Sequence, residues 1–141
     1  YWWVGNGPLE ERVKTYIEEK KLTKYIKLLG SRNDTVELYQ GIDAFFLPSF
    51  FEGLPVTGVE AQAMGLSMVV SDTVTREMVY TDLVDYVSLN DTPEAWASRL
   101  EIALRKNVKR EQYADRLKLS NFSNIGCGNR LEQVYCWWIN G

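Results

Sequence analysis

The stretch of sequence that decides the fold is Ser49-Phe50-Phe51-Glu52-Gly53-Leu54-Pro55-Val56-Thr57-Gly58-Val59-Glu60. The run before it, Asp43 to Pro48, is apolar and aromatic and ends at a proline that cannot donate to a sheet, so it predicts a buried strand. The residues after it, Val59 to Met64, favour a helix that stops at Gly65. A further strand is predicted at Ser67–Ser71. This order is typical of α/β proteins, in which ligands bind at the carboxyl ends of parallel strands.

Residue chemistry leaves two interpretations open for the two glutamates of this stretch. Both complete a capping-box pattern, in Ser49-x-x-Glu52 and Thr57-x-x-Glu60. Such a cap stabilises a helix by about 1 kcal/mol and needs no ligand. Between the glutamates, however, lie residues that predict a rigid loop with an exposed backbone, which a ligand can approach: Gly53, Pro55 and Gly58.

Composition excludes several classes of function. The 141 residues predict one domain, and 45% apolar with 25% charged residues is ordinary for a globular protein. A net charge of −3 without a basic patch argues against a nucleic-acid-binding protein. The absence of histidine excludes a histidine-based triad, a histidine-ligated metal and an imidazole general base. No run approaches the roughly 18 apolar residues that a membrane span requires, and no signal peptide is visible.

The two cysteines, Cys127 and Cys136, do not have a metal-ligand spacing. We expect them to be reduced and buried, as in a cytosolic protein.

The chain begins with Tyr1-Trp2-Trp3-Val4, which predicts a strand in the core from the first residue, so the sequence looks like part of a longer protein. Gly5-Asn6-Gly7-Pro8 then predicts a tight turn, with Pro8 at the first position of a helix that extends to about Lys20. Strand, glycine turn and helix resemble a phosphate-binding loop in outline. Two glycines are nevertheless too few for a dinucleotide-binding fingerprint.

A second strand is predicted at Tyr25–Leu29, followed by the loop Gly30-Ser31-Arg32-Asn33. Asp34 and Glu37 form a capping box for a short helix that ends at Gln40. Arg32 has two equally good interpretations, an exposed loop cation or a ligand-binding residue.

The second half of the chain continues the alternation of strands and helices. A short helix with Arg76 and Glu77 precedes a strand predicted at Tyr86–Leu89. Thr92-Pro93 predicts the next helix start. Its predicted buried face is Trp96, Leu100, Ala103 and Leu104. Residues 109–141 are predicted to be C-terminal helices, the last with an apolar face at Leu131, Val134, Tyr135 and Trp138. The fold class is therefore α/β, with a doubly wound, Rossmann-like parallel sheet.

The segment from Phe46 to Ser71 resembles the donor-site signature of retaining family-four glycosyltransferases of the GT-B type, in the exopolysaccharide or capsule-assembly style. It reads Phe-Leu-Pro-Ser-x-x-Glu-Gly-Leu-Pro-x-x-x-x-Glu-Ala-x-Ala-x-Gly-x-x-x-Val-x-Ser. Seven residues separate the two glutamates, as in that family. The resemblance extends from Val4 to about Leu104, and it implies the C-terminal, donor-binding half of a GT-B enzyme.

The resemblance implies a role for each site residue. Glu60 would hold the ribose hydroxyls, and Glu52 would bind the hydroxyls of the donor sugar as a catalytic, orienting residue rather than as a nucleophile. The donor is a UDP- or GDP-sugar, and no cofactor or metal is implied. The remaining donor-binding residues would be Gly5, Asn6, Gly7, Leu29, Gly30, Ser31, Arg32, Gly53, Leu54, Pro55, Val56 and Thr57. The helix starting at Thr57 would add its dipole at the departing phosphate.

In the family, an Arg and a Lys on a preceding segment clamp the diphosphate, and an N-terminal domain holds a glycan or lipid-linked acceptor. A helix N-terminus contributes only about 0.3–2 kcal/mol, against roughly 4 kcal/mol for millimolar binding. We therefore expect this chain alone to bind donor weakly and to transfer nothing. The implied location is the cytoplasm or the cytoplasmic face of the membrane. Two alternatives stay open, a related GT-B enzyme such as a sugar-nucleotide epimerase and a non-catalytic scaffold.

Overall fold

The structure, a computed structural model, describes residues 1–140, without the side chains of residues 134, 135 and 137–140. The elements in chain order are β1 (Trp2–Val4), α1 (Glu10–Glu19), β2 (Lys27–Gly30), α2 (Thr35–Gly41), β3 (Ala44–Leu47), α3 (Val56–Ala63), β4 (Ser67–Ser71), a 3₁₀ helix (Arg76–Met78), β5 (Val84–Val87), α4 (Pro93–Arg105), α5 (Glu111–Leu119) and α6 (Asn124–Asn140). They form two compact units, Tyr1–Leu38 and the chain from Tyr39 onward.

The larger unit is built on a parallel three-stranded sheet in the order β3-β4-β5. All five residues of the central strand β4 are buried. Phe46 lies opposite Val69, and Val70 lies opposite Tyr86. A parallel strand covered on both faces is expected to be apolar throughout, which explains the Met68-Val69-Val70 run.

Helices cover both faces of this sheet. Met68 and Val70 pack with Val59 and Ala61 of α3 in one apolar cluster. Val69, on the opposite face, packs with α4 in a second cluster that contains Phe46, Trp96, Leu100 and Ala103. The rings of Phe46 and Trp96 meet edge to face, with centroids 5.4 Å apart. The alternation along β4 therefore produces the doubly wound arrangement predicted from the sequence.

The smaller unit pairs β1 with β2 in parallel. The prediction that Tyr1–Val4 lies in the core is wrong, because Trp2 and Trp3 remain 41% and 45% exposed. Within residues 1–38 the two short strands pair only with each other, and so small a sheet does not bury the side chains on its faces. In α1, Ile17 is buried, whereas Val13 is half-buried and Tyr16 is exposed.

Several element boundaries differ from the predicted ones. Helix α1 begins at Glu10 rather than Pro8, because a turn that closes with the Glu10 N–H on the Gly7 carbonyl, at 3.0 Å, takes up the preceding residues. Strand β2 begins at Lys27, since Tyr25 belongs to a turn closed by its N–H on the Leu22 carbonyl. Strand β5 covers Val84–Val87 rather than Tyr86–Leu89, in register with β4.

Other predicted features of the second half are confirmed. The Thr92 hydroxyl accepts a hydrogen bond from the Ala95 N–H at 3.3 Å, with Pro93 in the first turn of α4. The 3₁₀ helix contains Arg76 and Glu77.

Two predictions of burial are wrong in this half. Leu104 is 55% exposed and does not belong to the apolar cluster that contains Trp96, Leu100 and Ala103. The prediction that the cysteines are buried is wrong, because Cys127 and Cys136 are both exposed on α6. Leu131 of that helix is also exposed, and the side chains of Val134, Tyr135 and Trp138 lie outside the described residues. Across the described residues, no helix is both long and apolar enough to cross a membrane.

Candidate functional site at the carboxyl ends of the strands

Glu52 lies in the loop that follows β3, and a serine fixes its carboxylate. The Ser49 hydroxyl donates to Glu52 Oε1 at 2.7 Å. The Ser49 carbonyl in turn accepts from the hydroxyls of Ser71 and Thr73, the second at 2.9 Å. The loop after β3 is thereby attached to the end of β4, so Glu52 is placed at the carboxyl edge of the sheet. Because Ser49 to Glu52 lie in a loop and no helix begins at Phe50, the capping-box interpretation of Ser49-x-x-Glu52 is wrong.

Glu60 is oriented by a tyrosine from another helix. The Tyr39 hydroxyl donates to Glu60 Oε2 at 3.0 Å, and it also lies 3.3 Å from the Thr57 carbonyl. Tyr39 is 8% exposed, whereas Glu60 is exposed to solvent. Burial, followed by the hydrogen bond to Glu60, raises the pKa of Tyr39 well above its usual range. The phenol therefore remains a donor at physiological pH, and the carboxylate keeps an oxygen free for a ligand.

Helix α3 begins at Val56, one residue before the predicted start, with Pro55 as its N-cap and no side-chain hydrogen bond to the cap. The Thr57-x-x-Glu60 capping box is therefore also wrong, because Thr57 lies inside the helix and Glu60 bonds to Tyr39. The first amides of a helix, those of Val56 and Thr57 in this case, have no intrahelical acceptor, so they can donate to an anion.

The residues between the glutamates divide into exposed and packed ones. Gly53 and Leu54 are exposed, and a Cβ added at Gly53 would meet nothing within 4 Å. Pro55 and Gly58 are buried. A Cβ at Gly58 would lie 2.7 Å from Met78 Sδ, so this glycine permits close packing of α3 and does not expose its backbone as predicted.

Beneath the site, Gln62 joins α3 to the segment after the 3₁₀ helix. Its side chain is fully buried and donates to the carbonyls of Gly58 and Met78, at 3.1 and 2.9 Å. Its carbonyl oxygen accepts from the Tyr80 N–H at 3.1 Å and the Thr81 hydroxyl at 2.9 Å. Every polar group of the amide has a partner, so the helix that carries Glu60 has a rigid base.

In the smaller unit, the two predicted loops meet each other. Gly5 has φ +109°, Gly30 has φ +63°, and the Gly5 N–H donates to the Gly30 carbonyl at 2.7 Å. Gly5, Asn6, Gly7 and Gly30 line a cavity of about 320 Å³, whose apolar wall includes Trp3 and Leu28.

The other predicted residues of this unit, Leu29, Ser31 and Arg32, do not line that cavity. Arg32 is exposed and forms a two-pronged ion pair with Asp34, whose Oδ1 lies 2.7 Å from Arg32 Nε. This contact holds the pKa of Asp34 below its usual range.

Sequence reasoning missed Tyr39 and Thr73 and gave no role to Ser71. Ser71 and Thr73 had a usable signal, because residues at the end of a predicted parallel strand lie at the same edge as Glu52. Tyr39 had none, since its contact with Glu60 depends on how two helices pack.

The arrangement offers two oriented carboxylates, exposed loop backbone and free helix amides at one edge of a parallel sheet. Carboxylates accept hydrogen bonds from vicinal hydroxyls, and such charge-assisted bonds are strong. Within residues 1–140 no three Asp, Glu, Cys or His side chains converge on a point where a metal ion would bind. The site chemistry therefore suits a polyhydroxylated ligand that also carries an anionic group.

Comparison with known proteins decides the family. A family model described as glycosyl transferases group 1 matches residues 3–119, most of the chain. The chain belongs to this family. The glycosyltransferase family predicted from the Phe46–Ser71 signature is thereby confirmed.

The similar curated proteins are longer than this chain. EpsF of Bacillus subtilis (strain 168) is 35% identical over 98 residues, which are 69% of this chain and 26% of EpsF. The UDP-Gal:alpha-D-GlcNAc-diphosphoundecaprenol alpha-1,3-galactosyltransferase of Escherichia coli is 41% identical over 70 residues, 49% of this chain and 18% of that protein. The amylovoran biosynthesis glycosyltransferase AmsK of Erwinia amylovora is 36% identical over 77 residues, 49% and 19% of the two chains. The chain thus spans about a quarter or less of the length of these relatives.

Among solved structures, the chain is similar to WaaG, a glycosyltransferase involved in lipopolysaccharide biosynthesis. The TM-score is 0.67 at 17% identity, over 87% of this chain and 33% of WaaG. At this identity the likeness shows the fold, and it confirms the predicted α/β fold of a GT-B half.

Proposed function

We propose that this chain is the donor-binding part of a retaining glycosyltransferase, which transfers a sugar from a UDP- or GDP-sugar to a glycan or lipid-linked acceptor in polysaccharide biosynthesis. The observation that carries the proposal is the pair of glutamates that follow β3. The Ser49 hydroxyl orients Glu52, and the Tyr39 hydroxyl orients Glu60. Membership of the glycosyl transferases group 1 family supports it.

The two glutamates have different proposed partners. Glu60, in the second turn of α3, binds the ribose diol of the nucleotide. The Tyr39 hydroxyl bonds to one oxygen of the Glu60 carboxylate and leaves the other for the ribose. Glu52 binds the hydroxyls of the donor sugar and orients it as the catalytic residue. The amides at the start of α3 and the exposed backbone at Gly53 donate to the diphosphate.

The proposed reaction needs neither a cofactor nor a metal ion. The bond between the sugar C1 and the diphosphate oxygen breaks, and the nucleoside diphosphate leaves with the electron pair. The acceptor oxygen bonds to C1 on the same face of the sugar, and its proton is released. Because the helix amides are placed before charge develops on the diphosphate, they stabilise the transition state without reorganisation.

The acceptor and location are also proposals. The curated Escherichia coli relative and an N-acetylgalactosaminyltransferase of Campylobacter jejuni, 53% identical over 47 residues, are named for diphosphoundecaprenol-linked acceptors. Those 47 residues are 33% of this chain and 12% of that protein. A lipid-linked acceptor is therefore the one we favour, and the enzyme would work in the cytoplasm at the membrane face.

The test is an NMR titration of the chain with UDP, GDP and the sugars of these nucleotides, followed at the amides of Gly53, Thr57 and Gly58. We expect weak, saturable shifts with one of the two bases. Glu60→Gln should weaken the binding of the nucleotide and of the nucleotide sugar by the same factor. Glu52→Gln should remove only the extra affinity that the sugar adds.

Glu101→Gln is the matched control, because Glu101 is an exposed carboxylate of α4 whose loss changes the net charge by the same amount. If neither ligand shifts these amides at millimolar concentration in a folded sample, or if all three variants behave alike, the donor-site proposal is wrong. In the complete protein, a free epimerised sugar nucleotide as the product would instead identify an epimerase.

A further inference from the structure

A second cavity lies at the opposite edge of the larger sheet from Glu52. It encloses about 170 Å³ between the amino ends of β3 and β4 and the connection from α4 to α5. Its polar lining residues are Asp43, Ser67, Lys106, Asn107 and Arg110. Gly65 completes the wall with φ +66°, and a Cβ there would lie 2.7 Å from Arg110 Cα. The wall is thus closely packed on one side and polar within.

Ser67 is the observation that points to a ligand. Its side chain is 3% exposed, and among the described residues its hydroxyl is the one buried side-chain polar atom with no hydrogen-bond partner. A buried hydroxyl without a partner is costly, and native proteins rarely keep one. Ser67 lines the cavity, and rotation of its side chain about χ1 would turn the hydroxyl towards a bound polar ligand, which would supply the missing partner.

Two cations border the same space without a carboxylate partner. Arg110 Nη2 donates to the Ile42 carbonyl at 2.6 Å, and Lys106 Nζ donates to the Asp82 carbonyl at 3.0 Å. Neither forms an ion pair with any residue in the described range. A guanidinium has five N–H donors and an ammonium has three, so most remain available. These contacts hold both side chains beside the cavity, where their charge favours an anion.

Asp43 restricts which anion fits. Its carboxylate, also without an ion-pair partner among the described residues, repels an oxyanion that carries no proton. An oxyanion with a bound proton can instead donate that proton to the carboxylate while its other oxygens accept from Arg110, Lys106 and Ser67. Phosphate carries such a proton near neutral pH, and sulfate does not.

We propose that this cavity binds inorganic phosphate, with Ser67, Lys106, Asn107 and Arg110 as donors and Asp43 as acceptor. The volume admits a single oxyanion with a few waters. A phosphate monoester, whose second pKa is about 6, mostly lacks a bound proton at neutral pH, so it binds less well beside Asp43. The bound ion joins the starts of β3 and β4 to the α4–α5 connection. It therefore stabilises the larger unit from the edge opposite the candidate donor site.

The test titrates the chain with phosphate, sulfate and glycerol 3-phosphate, and follows the amides of Gly65, Ser67 and Asn107 by NMR. We expect saturable shifts with phosphate and weaker binding of the other two. Ser67→Ala should weaken phosphate binding about fivefold, the effect of one hydrogen bond. Lys106→Gln, at an exposed position that should not disturb folding, should weaken phosphate binding further. Asp43→Asn should make the affinity for sulfate equal to that for phosphate.

Lys109→Gln is the matched control, because this substitution removes the same charge as Lys106→Gln. Lys109 is exposed and does not line the cavity. It should leave phosphate binding unchanged. The proposal is overturned by any of three results: no saturation with phosphate, equal losses in Lys109→Gln and Lys106→Gln, or binding of sulfate or glycerol 3-phosphate as tight as that of phosphate by the unaltered chain.

Discussion

The Tyr39 hydroxyl donates to Glu60 Oε2 at 3.0 Å, which links the end of α2 to the glutamate of α3. The donor is buried and the acceptor is exposed, so the tyrosine fixes the carboxylate from below while leaving it accessible from above. Tyr80 makes a similar contact with the same helix, because its hydroxyl donates to the Val59 carbonyl at 2.9 Å. Only the first of these two tyrosines touches a candidate site residue.

Tyr39→Phe should weaken nucleotide binding about fivefold, because it removes the single hydroxyl that orients Glu60 and a hydrogen bond contributes about 1 kcal/mol. The fold should persist, since the exposed carboxylate regains water. Titration with the preferred nucleoside diphosphate measures the effect. Tyr80→Phe, which removes a hydroxyl bonded to backbone of the same helix, is the control. Equal losses in the two variants would mean that Tyr39 supports only the helix.

Gln62→Leu should lower the free energy of unfolding by about 3 kcal/mol. The substitution leaves the Met78 carbonyl and the Tyr80 N–H without partners in the interior, and each such group costs roughly 1–3 kcal/mol. Urea unfolding measures the change. Gln112→Leu, at an exposed position of α5, should differ little from the parent chain. A stable Gln62→Leu protein would show that the buried network contributes nothing net.

Gly65→Ala should destabilise the protein by more than about 1 kcal/mol, since alanine is strained at φ +66° and its Cβ would overlap Arg110. Gly128→Ala tests the same exchange in α6, where a Cβ meets nothing within 4 Å. It should be neutral or stabilising by up to about 1 kcal/mol, as alanine favours helices over glycine. Thermal unfolding of both variants checks the pair, and similar midpoints would contradict the close approach at Gly65.

Stability should fall as the pH rises above about 10, the pKa of an unfolded tyrosine. Burial raises the pKa of Tyr80 to about 12, so between these values the folded chain keeps a proton that the unfolded chain has lost. The stability that the Tyr80 proton contributes is complete below pH 10, and it is lost as the pH rises through the pKa of Tyr80 in the folded chain. Urea unfolding at pH 9, 10 and 11 should show a smaller decline for Tyr80→Phe. The exposed-site variant Tyr25→Phe should decline like the parent chain.

Much of the larger unit was predictable from local patterns. The strand at Ser67–Ser71 was predicted with its observed ends, because an apolar run between Gly65 and Asp72 has no helical alternative of that length. The α4 start at Thr92-Pro93 was equally clear, since the cap and the proline act within one turn. The family followed from the signature between Phe46 and Ser71 and is confirmed.

The capping boxes failed for a physical reason. A Ser-x-x-Glu or Thr-x-x-Glu pattern records only the spacing of a hydroxyl and a carboxylate, and the same atoms can bond elsewhere. Ser49 bonds directly to Glu52 in a loop, and Glu60 bonds to Tyr39 from another helix. The burial of Tyr1–Val4 failed similarly, because apolar composition predicts a strand but not what covers it.

The sequence by itself determined the order of strands and helices, the family and the two glutamates, because these depend on neighbours within about a turn or on a spacing along the chain. Only the tertiary structure decided what orients Glu60, why Gly58 and Gly65 are glycine, and where Ser67 is left without a partner. Each of these depends on atoms brought together by packing from distant parts of the chain, and hydrogen bonds of a few ångströms are invisible to any local pattern.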